Sequence, residues 1–225
     1  MGVVSHNVPY GHADFGKAFP CKCQATNILK KITTTKGIST IPLHAEHMVF
    51  EDFNKTGMVE AAEIAYRIAY RQPREVPGLY LYGPTGTGKS SLAYVTMRTR
   101  FERTMRENSV LWRDYEQMIR AVQNCYADDW EGPSGDDVLN EMASVPFLVI
   151  DDFASIESKP DRTRIVLNLT NIRIANGLDT VITSNIPPHQ LGGYFNDKNR
   201  IASRIEGMCE LVSMEGADMR RRRKQ

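Results

Sequence analysis

The chain has 225 residues, 41% hydrophobic and 24% charged, with a formal net charge of +1. That is ordinary for a soluble globular protein and long enough for one α/β domain with a short appendage. It excludes general electrostatic attraction to nucleic acid or membrane, so any such contact must come from a local patch. No apolar run approaches the length of a membrane span, and the opening MGVVSHNVPYG lacks the basic and apolar regions of a secretory leader. His6 stands where the myristoylation pattern needs Ser or Thr. Four cysteines, two of them isolated, make no disulfide framework, and a cytoplasmic location is expected.

Residues 1–44 are rich in Gly, Pro, His, Thr and Lys and show little periodicity, which predicts an irregular N-terminal arm. Within it Cys21 and Cys23 form C-x-C, with His6 and His12 upstream. A structural Zn²⁺ needs four such ligands, so two readings stand side by side: free thiols in an arm, or part of a reduced zinc module. Beyond Phe50, Met58, Ala61, Ala62, Ala65, Ile68 and Ala69 recur at helical spacing, and Pro73 and Pro77 end the pattern.

The run Leu79–Tyr82 reads as a buried strand leading into Gly83, Pro84, Thr85, Gly86, Thr87, Gly88, Lys89 and Ser90. These residues fit G-x-x-x-x-G-K-[ST], the phosphate-binding loop, and Ser91 opens an unbroken helical stretch to Phe101. The glycines allow several backbone N–H groups to point at one phosphate chain, and the following helix N-terminus favours an anion. Lys89 is placed to reach the β- and γ-phosphates of a nucleoside triphosphate, and the Ser90 hydroxyl to bind Mg²⁺.

Ser109–Trp112 reads as a second strand, followed by a helix from Asp114 to about Tyr126 and an acidic loop over 128–135. Trp112, Tyr115 and Trp130 are candidates for stacking on nucleic-acid bases, against a simpler role as packing anchors. PFLVIDDF, 146–153, runs four apolar residues into two carboxylates, as a buried parallel strand does when it ends at a site. Downstream of a phosphate loop, Asp151 is expected to hold the water shell of Mg²⁺ and Asp152 to position or deprotonate the attacking water. Residues 161–175 read as a helix burying Ile165, Leu169 and Ile172, with Gly177 as its stop.

TVITSN, 180–185, repeats the pattern of a strand ending in polar residues, and Pro187 and Pro188 turn the chain after it. In RIASRI, Ile201 and Ile205 share one helical face and Arg200 and Arg204 another. Cys209–Met214 is a candidate edge strand, and Arg220–Lys224 is a run of five basic residues expected in a solvated tail. Alternating strands and helices predict a three-layer α/β fold with a central parallel sheet and ligands at the carboxyl ends of its strands. Gly83–Ser90, Asp151–Asp152 and Asn185 all fall at such ends.

GPTGTGKS, LVIDDF, ITSN and RIASRI together resemble the AAA+ P-loop ATPases. FGKAFPCKC and the closing SRIEGMCELVSMEGADMR are similar to the bacterial and phage helicase-loader group, DnaC and DnaI, and to its transposition relative IstB. The resemblance implies roles that spacing does not. Asn185 matches sensor 1, which orients the hydrolytic water. Arg204, with Arg200 as alternative, matches the arginine finger that reaches a neighbouring subunit's nucleotide, and Arg220 the sensor 2 arginine. It implies a lidless ATPase domain over 45–220 between an arm at 1–44 and a basic tail at 221–225. A short Asp at 152, where many AAA+ proteins have Glu, implies slow basal hydrolysis. The implied function is ATP-dependent loading of a replicative helicase, with single-stranded DNA as ligand and a homo-oligomer holding ATP between subunits. An IstB-like helper on duplex DNA and a scaffold that binds but hardly hydrolyses ATP are the alternatives.

Overall fold

The computed structural model describes residues 3–5, 18–20, 27–29, 34–35, 38–39, 43–54, 57–72, 76–124 and 133–216. Cys21, Cys23, Trp130 and Arg220 lie outside the described residues, as do His6, His12 and the basic tail. In the arm, β1 (Val3–Ser5) pairs antiparallel with β2 (Ala18–Pro20), and β3 (Thr34–Thr35) with β4 (Ile38–Ser39).

The domain itself is built on a sheet of β5 (Gly78–Tyr82), β6 (Val110–Asp114), β7 (Phe147–Phe153), β8 (Asp179–Ser184) and β9 (Cys209–Ser213). Their spatial order is β6-β7-β8-β5-β9, and every pairing is parallel. The strands are apolar on both sides because both faces are covered. On one face Leu79, Leu81, Trp112, Val149, Val181 and Val212 pack with α1 (Phe50–Asn54), α2 (Val59–Ala69) and α3 (Lys89–Thr104). On the other, Tyr80, Leu111, Leu148, Ile150 and Ile182 pack with α4 (Tyr115–Asn124), α6 (Pro160–Ala175) and α8 (Arg200–Met208). This is the expected three-layer fold, with β9 at the edge beside β5.

Two helices fall where the sequence reading had only loop or turn. α5 (Gly135–Ser144) starts inside the acidic stretch. Its Ser134 Oγ accepts from the Asp137 N–H at 3.1 Å while Asp137 Oδ2 accepts from the Ser134 N–H at 3.1 Å, a reciprocal capping box. α7 (Pro188–Phe195) has Pro188 at its first position, where a missing N–H costs nothing.

α6 ends as expected at Gly177, whose φ is +56°, with the Gly177 N–H donating to the Ile174 carbonyl and the Leu178 N–H to that of Arg173. Its buried face differs from expectation. Ile165 and Leu169 are buried, but Ile172 is exposed and Arg173 takes the interior position. Trp112 and Tyr115 are also core residues, packed edge-on against Tyr94 and Phe153, and so are not surfaces for stacking on bases.

Candidate nucleotide site

Parallel register brings the strand ends to one rim. Tyr82 pairs with Ser184 on one side and Ser213 on the other, and Asp114 stands opposite Asp151. The loop leaving β5 therefore starts beside the last residues of β7 and β8.

Gly83 has φ +141°, and a Cβ there would lie 2.5 Å from the Met214 carbonyl oxygen, so the close passage of the chain segment after β9 requires glycine. Gly86 and Gly88 follow at φ +88° and +94°. Thr87 is fully buried, and its Oγ1 donates to the Pro84 carbonyl at 3.0 Å, pinning the loop from within. Gly88 is the N-cap of α3, so the free amide groups of its first turn open onto the loop. Lys89 Nζ donates to the Gly83 and Pro84 carbonyls, 2.7 Å each, which holds its cation over the concave side of the loop. Pro84 and Thr85 form the exposed tip, whereas Ser91 is buried against the core.

The carboxylates come from an irregularity in β7. Its register with β8 shifts between Ile150 and Phe153, and Asp152 takes φ +53°. Such a bulge re-aims side chains. Asp151 stays buried while Asp152 turns outward. Thr183 joins the two: its Oγ1 donates to Asp151 Oδ1 at 2.5 Å and accepts from the Asp152 N–H at 3.0 Å. The Ser90 hydroxyl lies near enough to Asp151 to favour its charged form. Asn185 Nδ2 donates to Asp152 Oδ1 at 3.3 Å.

Burial pushes the Asp151 carboxyl up to about 6, with the charges of Asp152 and Asp114 adding to the rise and the Thr183 and Ser90 hydroxyls opposing it. Asp152 is raised too, first by burial and then by Asp114, with Lys89 opposing. A buried carboxylate with hydroxyl partners and acidic neighbours is poised for a cation. Among the described residues no three His, Cys, Asp or Glu side chains form an all-protein metal cage. A hydroxyl and one carboxylate are instead the donor set suited to Mg²⁺, which keeps waters and takes phosphate ligands. The residues present therefore fit a Mg²⁺–nucleotide, with Ser90 and Asp151 as its protein side.

Lys89, Ser90, Asp151, Asp152 and Asn185 are thus brought together. Arg204 is not. It lies on α8, across the sheet from α3, with Nε donating to Asn171 Oδ1 at 2.5 Å and Nη1 to the Arg200 carbonyl at 2.9 Å. Arg200 is exposed nearby and lines a groove of about 480 Å³ with Lys159, Arg164, Asn168 and Tyr194. Thr183 escaped the sequence reading, although T-V-I-T-S-N places it two residues before Asn185; only strand pairing shows that it bridges the two aspartates. No helix among the described residues is long and apolar enough to cross a membrane.

Residues 44–209 match the family of the bacterial DnaA ATPase domain. The chain is 24% identical to the chromosomal replication initiator protein DnaA of Ureaplasma parvum serovar 3 over 159 residues, 71% of this chain and 33% of that protein. It therefore spans about a third of that relative's length. Among solved structures it superposes on the DnaC helicase loader with a TM-score of 0.64 at 18% identity, covering 77% of this chain and 100% of that one. On the replication initiator DnaA bound to AMPPCP and single-stranded DNA the TM-score is 0.61 at 19% identity, covering 80% and 52%. The loader structure and the initiator thus share one fold with this chain. Since the family match takes in the phosphate loop, both aspartates and α8, the chain belongs to the bacterial DnaA ATPase-domain family.

Proposed function

We propose that this protein is an ATP-dependent helicase loader of DNA replication: it binds Mg²⁺–ATP and single-stranded DNA and delivers a replicative helicase. The observation carrying the nucleotide reading is the meeting of Lys89 and Ser90 with Asp151, Asp152 and Asn185 at the strand ends. The bound AMPPCP and single-stranded DNA of one structural neighbour, and the helicase-loader identity of another, support the wider reading. The ATPase domain is assigned to 45–220, the arm at 1–44 to helicase contact and 221–225 to a basic tail. Arg220 is assigned to sensor 2. Cys21 and Cys23 remain a candidate half of a zinc site.

In this scheme Gly83–Ser91 wrap the phosphates with backbone amides, and Lys89 moves from the loop carbonyls to the β- and γ-phosphates. Bound Mg²⁺ supplies charge neutralisation on those phosphates. Asp152 takes the proton of the attacking water, and Asn185, already bonded to it, fixes the carboxylate's direction. Asp reaches less far than Glu, so basal turnover is slow and rises with oligomerisation or DNA. Arg204 acts on a neighbouring subunit's nucleotide, a reading supported by its place on α8, across the sheet from α3, the helix that follows its own phosphate loop. The cationic groove of Lys159, Arg164 and Arg200 beside it extends the same subunit-facing surface.

The test is ATP hydrolysis by Lys89→Ala and Arg204→Ala proteins, separately and mixed, with single-stranded DNA present. Each alone is expected to lose about a hundredfold or more in rate. The mixture recovers activity, because a Lys89→Ala subunit lends its Arg204 to a neighbour whose loop is whole. Full activity of Arg204→Ala alone, or a dead mixture beside an active wild type, removes the shared site. Stronger binding to duplex than to single-stranded DNA would replace the loader reading with the IstB-like one.

A further inference from the structure

β6 ends at Asp114, and its register with β7 runs Val110 to Phe147, Trp112 to Val149 and Asp114 to Asp151. Alternation along a strand puts residues 110, 112 and 114 on the face that carries 147, 149 and 151. The first two pairs are buried in the core shared with α3, where Trp112 meets Tyr94 edge-on at 6.4 Å. Asp114 and Asp151 continue this row to the rim, where the Ser90 hydroxyl in the first turn of α3 comes near Asp151. The Asp114 carboxylate is also held in place: Oδ1 accepts from the Gln117 N–H at 3.0 Å and so caps α4.

On this geometry, and resting on the nucleotide reading above, we propose that Asp114 is a positioning residue for the metal–nucleotide. Its fixed charge, one strand away from Asp151, orders the waters of the Mg²⁺ held by Ser90 and Asp151 and tightens metal binding without itself being a ligand. A metal ion of this kind keeps several waters, and outer carboxylates that bond to them tune its affinity. The electrostatics agree, since Asp114 contributes to the upward shift of both Asp151 and Asp152. The sheet thus supplies acidic groups from two adjacent strands, which the sequence separates by 37 residues (151 − 114).

Capping and metal positioning separate cleanly in Asp114→Asn, because Asn caps a helix as well as Asp but carries no charge. The experiment is Mn²⁺ titration of the full chain followed by electron paramagnetic resonance, with saturating AMPPCP, beside metal-free AMPPCP binding and a melting curve. The expected result for Asp114→Asn is Mn²⁺ affinity lowered about tenfold or more, with the melting temperature and metal-free nucleotide affinity unchanged. Asp114→Ala, which also removes the cap, loses the same metal affinity and melts lower. Unchanged Mn²⁺ affinity in Asp114→Asn overturns the proposal. A loss accompanied by equal losses in melting temperature and metal-free binding overturns it as well, since Asp114 would then be only a cap. If wild type binds no AMPPCP, the nucleotide reading itself fails and takes this inference with it.

Discussion

Strand β8 carries buried polar chemistry at both ends, and the two ends solve it differently. At its start, Asp179 is buried against Arg100, with Arg71 3.9 Å from the same carboxylate oxygen. Beside it Arg173, 1% exposed, spends its donors on the Thr180 hydroxyl and the carbonyls of Met142, Val145 and Asp179 at 2.7–3.0 Å. Burial lowers the Arg173 pKa only to about 10, so it stays charged at neutral pH. At the other end, Thr183 of β8 meets Asp151 of the adjacent β7, which is also buried; the Thr183 hydroxyl donates to it, and two more carboxylates lie nearby. One end is closed by ion pairs and hydrogen bonds within the chain; the other holds negative charge that a bound cation would relieve. Buried charge alone therefore does not mark a site, whereas incompletely countered charge at strand ends does.

The largest effect is expected at the closed end. Asp179→Ala leaves Arg100 buried without its carboxylate, a change costing about 3–5 kcal/mol. Urea unfolding is the measurement, and a loss below about 1 kcal/mol would show that water reaches and solvates Arg100.

At the open end the sign reverses. In metal-free protein the folded Asp151 titrates at about 6, against an ordinary 3.8. Between those values the folded state keeps a proton that the unfolded state has released, so this group's contribution to stability is greatest below about pH 4 and is lost as pH rises through 6. Asp151→Asn, which carries no charge to bury, should therefore be more stable than wild type at pH 7 by up to about 3 kcal/mol. The advantage shrinks toward pH 4.5. Melting curves at both pH values in EDTA check this. An advantage that grows toward low pH would show that Asp151 is ionised without penalty.

The same two ends differ in how far they could be read from sequence. Phosphate chemistry demands glycines, a lysine and a hydroxyl at fixed spacing, so the loop was legible, as was an apolar strand running into Asp151 and Asp152. The parts that escaped depend on strands meeting. Thr183 and Asp114 gain their positions from register with β7, which no local spacing reveals. α5 did leave a signal, Ser134 with Asp137 three residues on, but the acidic composition around it read as loop. Arg204 could be placed only by family resemblance, because the role proposed for it lies at another subunit's nucleotide. Aromatic side chains gave the opposite error: Trp112 and Tyr115 look adaptable in sequence, and the sheet simply buries them.

Helix α6 shows the limit of periodicity most plainly. Ile172 sits at helical spacing from Leu169, yet Leu169 is 1% exposed and Ile172 36%. Arg173 displaces it inward because four acceptors, on α5, the segment after it and β8, converge on one guanidinium, and satisfying them outweighs burying one more isoleucine. Ile172→Gln should therefore change stability by no more than about 0.5 kcal/mol. Leu169→Ala, measured alongside as the buried standard, should cost about 2 kcal/mol or more. If Ile172→Gln instead costs as much as Leu169→Ala, the exposed face of α6 is covered in solution. Repeating the measurement across a range of protein concentrations would then show whether a second copy covers it, since the cost of Ile172→Gln would fall on dilution.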